Sequence, residues 1–219
     1  MTISDAQVKA GQAIYSPWTL RFYDLVALGF SGRFIWRCSK QSLLDWYNQH
    51  ITANHLDVGV GTGYFLDRCA WPTKQPRIAL MDLNPNCLQA AGRRLSRYQP
   101  EQYRANVLKP IPQAMQKFDS ISLTWLLHCV PGTIQDKAAV FDHLISLLNR
   151  DGVIFGATLL NEGIRHNWMS KRLMALYNSK GIFSTQHDDL DGLNTVLAAT
   201  LRNVKIEIIG CGALFSGKL

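Results

Sequence analysis

The 219-residue chain has no run of about 18 apolar residues, since even the stretch from Asp24 to Trp36 is broken by glycines, Ser31 and Arg33. A membrane-spanning helix is thereby excluded. It also lacks any block of about five or six like charges. Lys and Arg total 23 against 16 Asp and Glu, a net charge of +7. The positive residues are scattered (Arg33, Arg37, Lys40, Arg68, Arg77, Arg93, Arg94, Arg97, Arg104, Arg150), which suits a basic solvated surface better than a nucleic-acid groove. The first residues, Met1 to Gln7, have no basic start and no apolar core of a secretory signal, so a cytoplasmic location is expected. Five cysteines (Cys38, Cys69, Cys87, Cys129, Cys211) form no C-x-x-C and are odd in number. They read as reduced thiols, with neither a disulfide framework nor a metal site. Repeats and low-complexity tracts are absent as well.

With 47% hydrophobic and 18% charged residues, the chain can bury one sizeable core. Residues up to about 50 carry apolar side chains at helical spacing, including Trp18, Phe22, Leu25 and Val26, then Leu43, Leu44, Trp46 and Tyr47. Ser16 with Pro17 after it predicts a helix start. At residue 55 the pattern changes: strand-like runs His55–Gly59, Arg77–Asp82, Tyr103–Val107, Phe118–Leu127 and Val153–Leu160 alternate with helix-like segments Asn86–Tyr98 and Gln135–Leu148. Such alternation predicts right-handed βαβ units and a largely parallel sheet covered on both faces. A helix inside residues 161–189, a helix over Leu190–Leu201, and two strand-like runs joined by Gly210-Cys-Gly212 complete the chain. The short glycine turn predicts an antiparallel hairpin.

The segment Asp57-Val-Gly59-Val-Gly61-Thr-Gly63 lies between a predicted strand and a predicted helix. Glycines there let backbone N–H groups approach a ligand, and the first βα turn of an open α/β sheet is where nucleotides sit. The dinucleotide fingerprint G-x-G-x-x-G wants its third glycine where Tyr64 stands. Asp82 closes the next strand, 19 residues beyond Gly63, where a carboxylate can accept from both hydroxyls of a ribose. The alternative is a turn cluster with Asp82 capping the following helix.

These motifs resemble those of the class I S-adenosylmethionine-dependent methyltransferases, with Asp57, Gly59, Gly61 and Gly63 as the acidic-x-Gly-x-Gly-x-Gly turn and Asp82 as the ribose acid. The resemblance implies a doubly wound, Rossmann-like seven-stranded sheet, mostly parallel, with an antiparallel C-terminal hairpin. It divides a single 1–219 domain into a helical cap (1–53), a cofactor core (54–160), a lid insertion (161–189) and a terminal helix with hairpin (190–219). It implies S-adenosylmethionine as cofactor, S-adenosylhomocysteine as product, and a small-molecule acceptor, in a monomer or homodimer without nucleic acid. Asn106 would meet the adenine amino group, between Leu83 and Val107 as apolar walls. Thr124 and Trp125, with His128 just beyond the fourth strand, would lie beside the methionine arm and the acceptor, and Tyr15, Trp18 and Tyr23 would fold over them from the cap.

A sulfonium methyl is already activated, so the enzyme chiefly aligns a nucleophile and excludes water. His128 is the candidate general base, with a packed pocket histidine as the alternative. His166 and Glu162 follow the fifth strand and could reach the pocket, although loop positions suit both. Cys129 reads as packing, because no neighbouring cation would stabilise its thiolate. Trp168, Met169, Met174 and Tyr177 would divide between core and acceptor wall, and the aromatic character favours a flat or hydrophobic metabolite. Two other functions remain open at this stage: an NAD-dependent oxidoreductase, and a protein of the same fold that binds S-adenosylmethionine without transferring its methyl group.

Overall fold

A computed structural model describes residue 7 and residues 15–111 and 115–219. Helix α1 (Pro17–Tyr23) begins where predicted: Ser16 Oγ accepts from Thr19 N–H and Thr19 Oγ1 accepts from Ser16 N–H, both at 3.2 Å, so two otherwise orphaned donors are satisfied reciprocally. The rod continues from Asp24 to Ile35 in wider π-type turns. Helix α2 (Lys40–His50) is capped by Ser39.

Seven strands follow: β1 (Asn54–Val58), β2 (Arg77–Asp82), β3 (Glu101–Arg104), β4 (Phe118–Thr124), β5 (Leu148–Leu159), β6 (Arg202–Ile209) and β7 (Gly212–Lys218). Their order is β3-β2-β1-β4-β5-β7-β6. Strands β1 to β5 are mutually parallel, and β7 pairs antiparallel with both β5 and β6. The expected C-terminal hairpin is present, and β7 is its reversed strand. Strand order inverts at β1, between β2 and β4, which opens a crevice at the carboxyl ends of these strands.

Helices α3 (Tyr64–Arg68) and α4 (Pro85–Arg94) join α2 on one face of the sheet, around Trp46, Tyr47, Phe65, Leu88 and Ala91. Helices α5 (Ala138–Ile145) and α7 (Leu190–Thr200) cover the other face, around Val140, Phe141, Leu193 and Leu197 against Leu56, Val58, Ile121 and Phe215. A third apolar cluster (Trp36, Leu159, Met174, Ile182, Phe183, Cys211) packs against helix α6 (Trp168–Ser179), in the segment expected as a lid.

Three strand boundaries differ from expectation. Strand β3 lies at Glu101–Arg104 rather than Tyr103–Val107, held to β2 by the paired side chains of Glu101 and Arg77 (2.8 and 3.1 Å). Strand β4 ends at Thr124, because Trp125 takes φ 60° and turns the chain out of the sheet. Strand β5 begins at Leu148 rather than Val153, absorbing Asn149 to Gly152 as an irregularity where the pairing with β4 shifts register. The Gly210 turn is forced by contact with the cap: a Cβ there would stand 2.3 Å from the Arg37 carbonyl. Cys211 N–H donates to the Trp36 carbonyl at 2.7 Å beside it, so the hairpin tip and the cap are tied together.

Candidate active site

Three cavities run along the carboxyl ends of β1, β2, β4 and β5. The first, with an open volume of about 680 Å³, is lined by Tyr15, Gly59, Gly61, Asp82, Leu83, Asn106 and Val107, together with Cys129. The second, about 400 Å³, lies across the glycine turn from it and is lined by Tyr23, Tyr47, Asp57, Gly59, Gly61, Thr62, Thr124 and Trp125. The third, about 610 Å³, shares Tyr23, Leu28 and Trp125 with the second and adds Trp36, His128, Leu159, Tyr177 and Phe183.

The glycines of the turn have separable roles. Gly59, Gly61 and Gly63 all have positive φ (74°, 51° and 71°). A Cβ on Gly63 would approach Ala91 of α4 to 3.1 Å, so this glycine serves helix packing. A Cβ on Gly61 would meet nothing within 4 Å. That space belongs to the cavities Gly61 lines, which fits a turn kept bare for a ligand.

Asp57 is 5% exposed. Its Oδ1 accepts from Tyr47 Oη at 3.1 Å and from Ser122 Oγ, and burial still pushes its carboxyl up to about 6. Asp82 is also pushed up to about 6 by burial, against the lowering effect of nearby backbone N–H groups. Its Oδ1 accepts from Asn84 N–H at 2.8 Å, while the cap of α4 is Asn84 itself, whose side chain accepts from Asn86 N–H at 2.9 Å. Asp82 therefore braces the turn without capping the helix, and its carboxylate lines the cleft. Asn106 Oδ1 accepts from Leu108 N–H at 3.0 Å, which leaves one lone pair for a further donor.

The cap closes over this site through a three-way contact. Arg94 of α4 donates to Asp24 (2.6 Å) and to Thr62 Oγ1 (3.0 Å), and Thr62 donates to Asp24 (2.5 Å). Asn84 and Asn86 side chains both donate to the Tyr15 carbonyl at 3.2 Å. Tyr15 and Tyr23 pack ring to ring at 5.7 Å, and burial raises both phenols above their ordinary range.

His128 is 4% exposed, with its ring against Phe183 (4.5 Å) and Trp125 (5.7 Å). Its Nδ1 accepts from Leu159 N–H at 3.4 Å. That bond assigns the ring proton to Nε2. Burial, reinforced by the Lys137 charge, pushes His128 down to about 3. This geometry presents a donor, Nε2–H, to the cavity, and burial keeps the ring neutral, which favours the packed pocket histidine over the general base.

Other acceptor residues expected from the sequence lie elsewhere. Trp18 and Trp168 face solvent, 77% and 72% exposed, because Leu20 and Met174 are the side chains their helices turn inward. His166 lines a separate cavity with Lys171, Asn178 and Gln186, and both ring nitrogens are engaged, with Ser170 Oγ (3.3 Å) and the Leu160 carbonyl (2.9 Å). Met169 is half-buried on α6 and Glu162 is exposed. Cys129 borders the first cavity, and burial pushes its thiol up to about 12, so it holds no thiolate. Among the described residues no His, Cys, Asp or Glu group could hold a metal ion.

Leu28, Trp36, Leu159 and Phe183 were missed as cavity residues. Phe183 lies in an aperiodic stretch, and its ring contacts with His128, Tyr177 (4.9 Å) and Trp36 (6.1 Å) reveal it. A buried anchor places that stretch: Lys137 Nζ donates to Asp188 Oδ2 and to the Ser184 carbonyl (2.6 Å), and Ser184 N–H donates to the His128 carbonyl (2.8 Å).

A family profile described as a methyltransferase domain matches residues 56–154. Demethylluteothin O-methyltransferase of Streptomyces thioluteus is 38% identical over 94% of this chain and 90% of its own length. The physcion biosynthesis cluster O-methyltransferase of Aspergillus chevalieri is also 38% identical, over 94% and 93%. In fold, the chain is similar to the N-methyltransferase NodS of Bradyrhizobium japonicum solved with S-adenosyl-L-homocysteine, at a TM-score of 0.63, 13% identity and 98% coverage of both chains.

Proposed function

The chain belongs to the class I S-adenosylmethionine-dependent methyltransferases, and from that premise we propose that it methylates an oxygen of a small, flat, apolar molecule whose hydroxyl ionises without a protein base. The observation that carries this reading is the continuity of the cavities. Gly59 and Gly61 are common to the first and second, and Tyr23 and Trp125 to the second and third. A nucleoside in the first cavity and an acceptor in the third would thus meet across the second. The residues fit the cofactor: a bare Gly61, a buried carboxylate at Asp82, and apolar walls at Leu83 and Val107.

When bound, S-adenosylmethionine supplies an electrophilic methyl group on a sulfonium. Asp82 would take the ribose hydroxyls, Asn106 the adenine edge, and the Gly59–Gly61 turn with Asp57 the methionine arm. Tyr23 and Trp125 divide that arm from the acceptor cavity and exclude water from the space between. Among the described residues no carboxylate lines the third cavity. Among the described residues His128 Nε2–H meets no acceptor, so it is a donor that would hold an acceptor oxygen and favour its ionised form. A phenol or enol supplies its own conjugate base in such a site, whereas an aliphatic alcohol would need a base that the cavity lacks. The O-methyltransferase relatives support an oxygen acceptor.

The test is incubation with S-adenosylmethionine and matched phenols, enols, aliphatic alcohols and alkylamines, read by mass spectrometry as the gain of one methyl group. Phenols or enols are expected to be methylated, faster as their own acidity rises. Turnover confined to alkylamines or aliphatic alcohols would overturn the reading.

A further inference from the structure

The helical rod from Pro17 to Ile35 has two faces with opposite fates. Its inner face puts Tyr23, Ala27, Leu28, Ser31 and Gly32 into the wall of the acceptor cavity. Its outer face leaves Trp18, Phe22, Leu25, Val26, Phe30 and Phe34 between 44% and 77% exposed. Six of the nine exposed large hydrophobic side chains among the described residues are therefore on this one rod. That is a patch, not the ordinary scatter of surface apolar groups. The rings are paired along it, Trp18 with Phe22 at 5.4 Å and Phe30 with Phe34 at 5.3 Å.

The charge beside the patch decides what covers it. Arg21 and Arg33 on the rod are exposed, as are Arg37 and Lys40 just after it in the chain. The rod's acid, Asp24, is turned inward and held by Arg94 and Thr62. Two copies of this face would set arginine against arginine with no free carboxylate from either rod. An anionic lipid surface supplies the missing negative charge and an apolar layer at the depth of the aromatic rings, the arrangement that interfacial amphipathic helices use.

We infer that the outer face of the Pro17–Ile35 rod docks on an anionic phospholipid surface, lying on it and not crossing it. The inner face of the same rod lines the acceptor cavity, so docking sets one wall of that cavity against the lipid boundary, where apolar acceptors concentrate. Docking is independent of the methyl acceptor and is read without turnover.

Flotation of the full chain with phosphatidylcholine vesicles, with and without phosphatidylserine, tests it. Recovery with the anionic vesicles should exceed that with neutral ones by about tenfold and fall as salt rises. Leu25→Ser with Phe30→Ser should abolish flotation, with S-adenosylhomocysteine affinity unchanged as evidence of an intact fold. Arg33→Glu, at an exposed site, should weaken flotation by itself and serves if the double variant does not fold. Absence of flotation overturns the inference, as does flotation unaffected by these variants. So does a concentration-dependent dimer in sedimentation that the double variant dissolves, which would make the occupant a second copy.

Discussion

The cofactor cleft and the acceptor cavity share Tyr23 and Trp125 but are built on different principles. The cleft has fixed charge and bare backbone: two buried carboxylates, Asp57 and Asp82, and a turn of left-handed glycines. Among the described residues the cavity has no carboxylate and no such turn, and its wall is mainly aromatic and aliphatic, with the neutral His128 and the hydroxyls of Tyr23, Ser31 and Tyr177 as polar groups. On the proposed assignment, one region would recognise a constant ligand by charge and hydrogen bonds, and the other would select by shape. They also differ in what holds them. The cleft stands on the sheet, whereas part of the cavity wall hangs from a buried ion pair between Lys137 (0% exposed) and Asp188 (1%).

Breaking that ion pair should have the largest effect. Lys137→Met leaves Asp188 charged, buried and unpartnered, and should cost about 3–5 kcal/mol in denaturant unfolding. Adding Asp188→Leu should recover most of it, since an apolar pair needs no countercharge. If the single variant were no less stable than wild type, the pair would not anchor the lid.

Asp82→Ala acts on the other region. It should weaken S-adenosylhomocysteine binding by roughly 1–3 kcal/mol in calorimetry, the scale of hydrogen bonds to a charged group. The pH dependence has a definite sign. Asp82 titrates near 6 in the fold, above the ordinary carboxylate value, so lowering the pH from 7 to 5 protonates it and removes a charged acceptor. Affinity should fall over that interval, and less so in Asp82→Asn. Equal pH dependence in the two proteins would separate Asp82 from the ribose.

The paired glycines sharpen the contrast. Gly63→Ala should lower stability by about 1–3 kcal/mol, from left-handed strain and contact with Ala91. Gly61→Ala shares the strain without the clash, and its added methyl should show up mainly as weaker cofactor binding. A variant pair alike in both measurements would remove the division of roles.

His128→Phe should give the smallest change, an acceptor KM raised by about tenfold, the loss of one hydrogen bond. Because His128 titrates near 3, its removal should leave the shape of the rate profile between pH 6 and 8 unaltered. An acid limb that disappears with this variant would restore the base.

The glycine turn and Asp82 were legible because the cofactor half depends on residues close in sequence: a turn bends where glycine permits, and a strand ends beside it. The alternation of apolar runs likewise fixed a parallel sheet, since strands buried on both faces must be continuous and apolar. The sequence motif also announced a histidine at residue 128. Its chemistry was not legible, because the Leu159 N–H that sets its tautomer and the Lys137 charge that lowers its basicity come from distant segments. Nor could periodicity tell which side of the first helix faces inward, and Trp18 was assigned to the site it turns away from. Local sequence, then, determined the sheet and the cofactor turn, where each residue's neighbours in the chain are its neighbours in space. The acceptor cavity was decided by tertiary structure alone, because its wall is assembled from Leu28, Trp36, His128, Leu159 and Phe183, which only folding brings together.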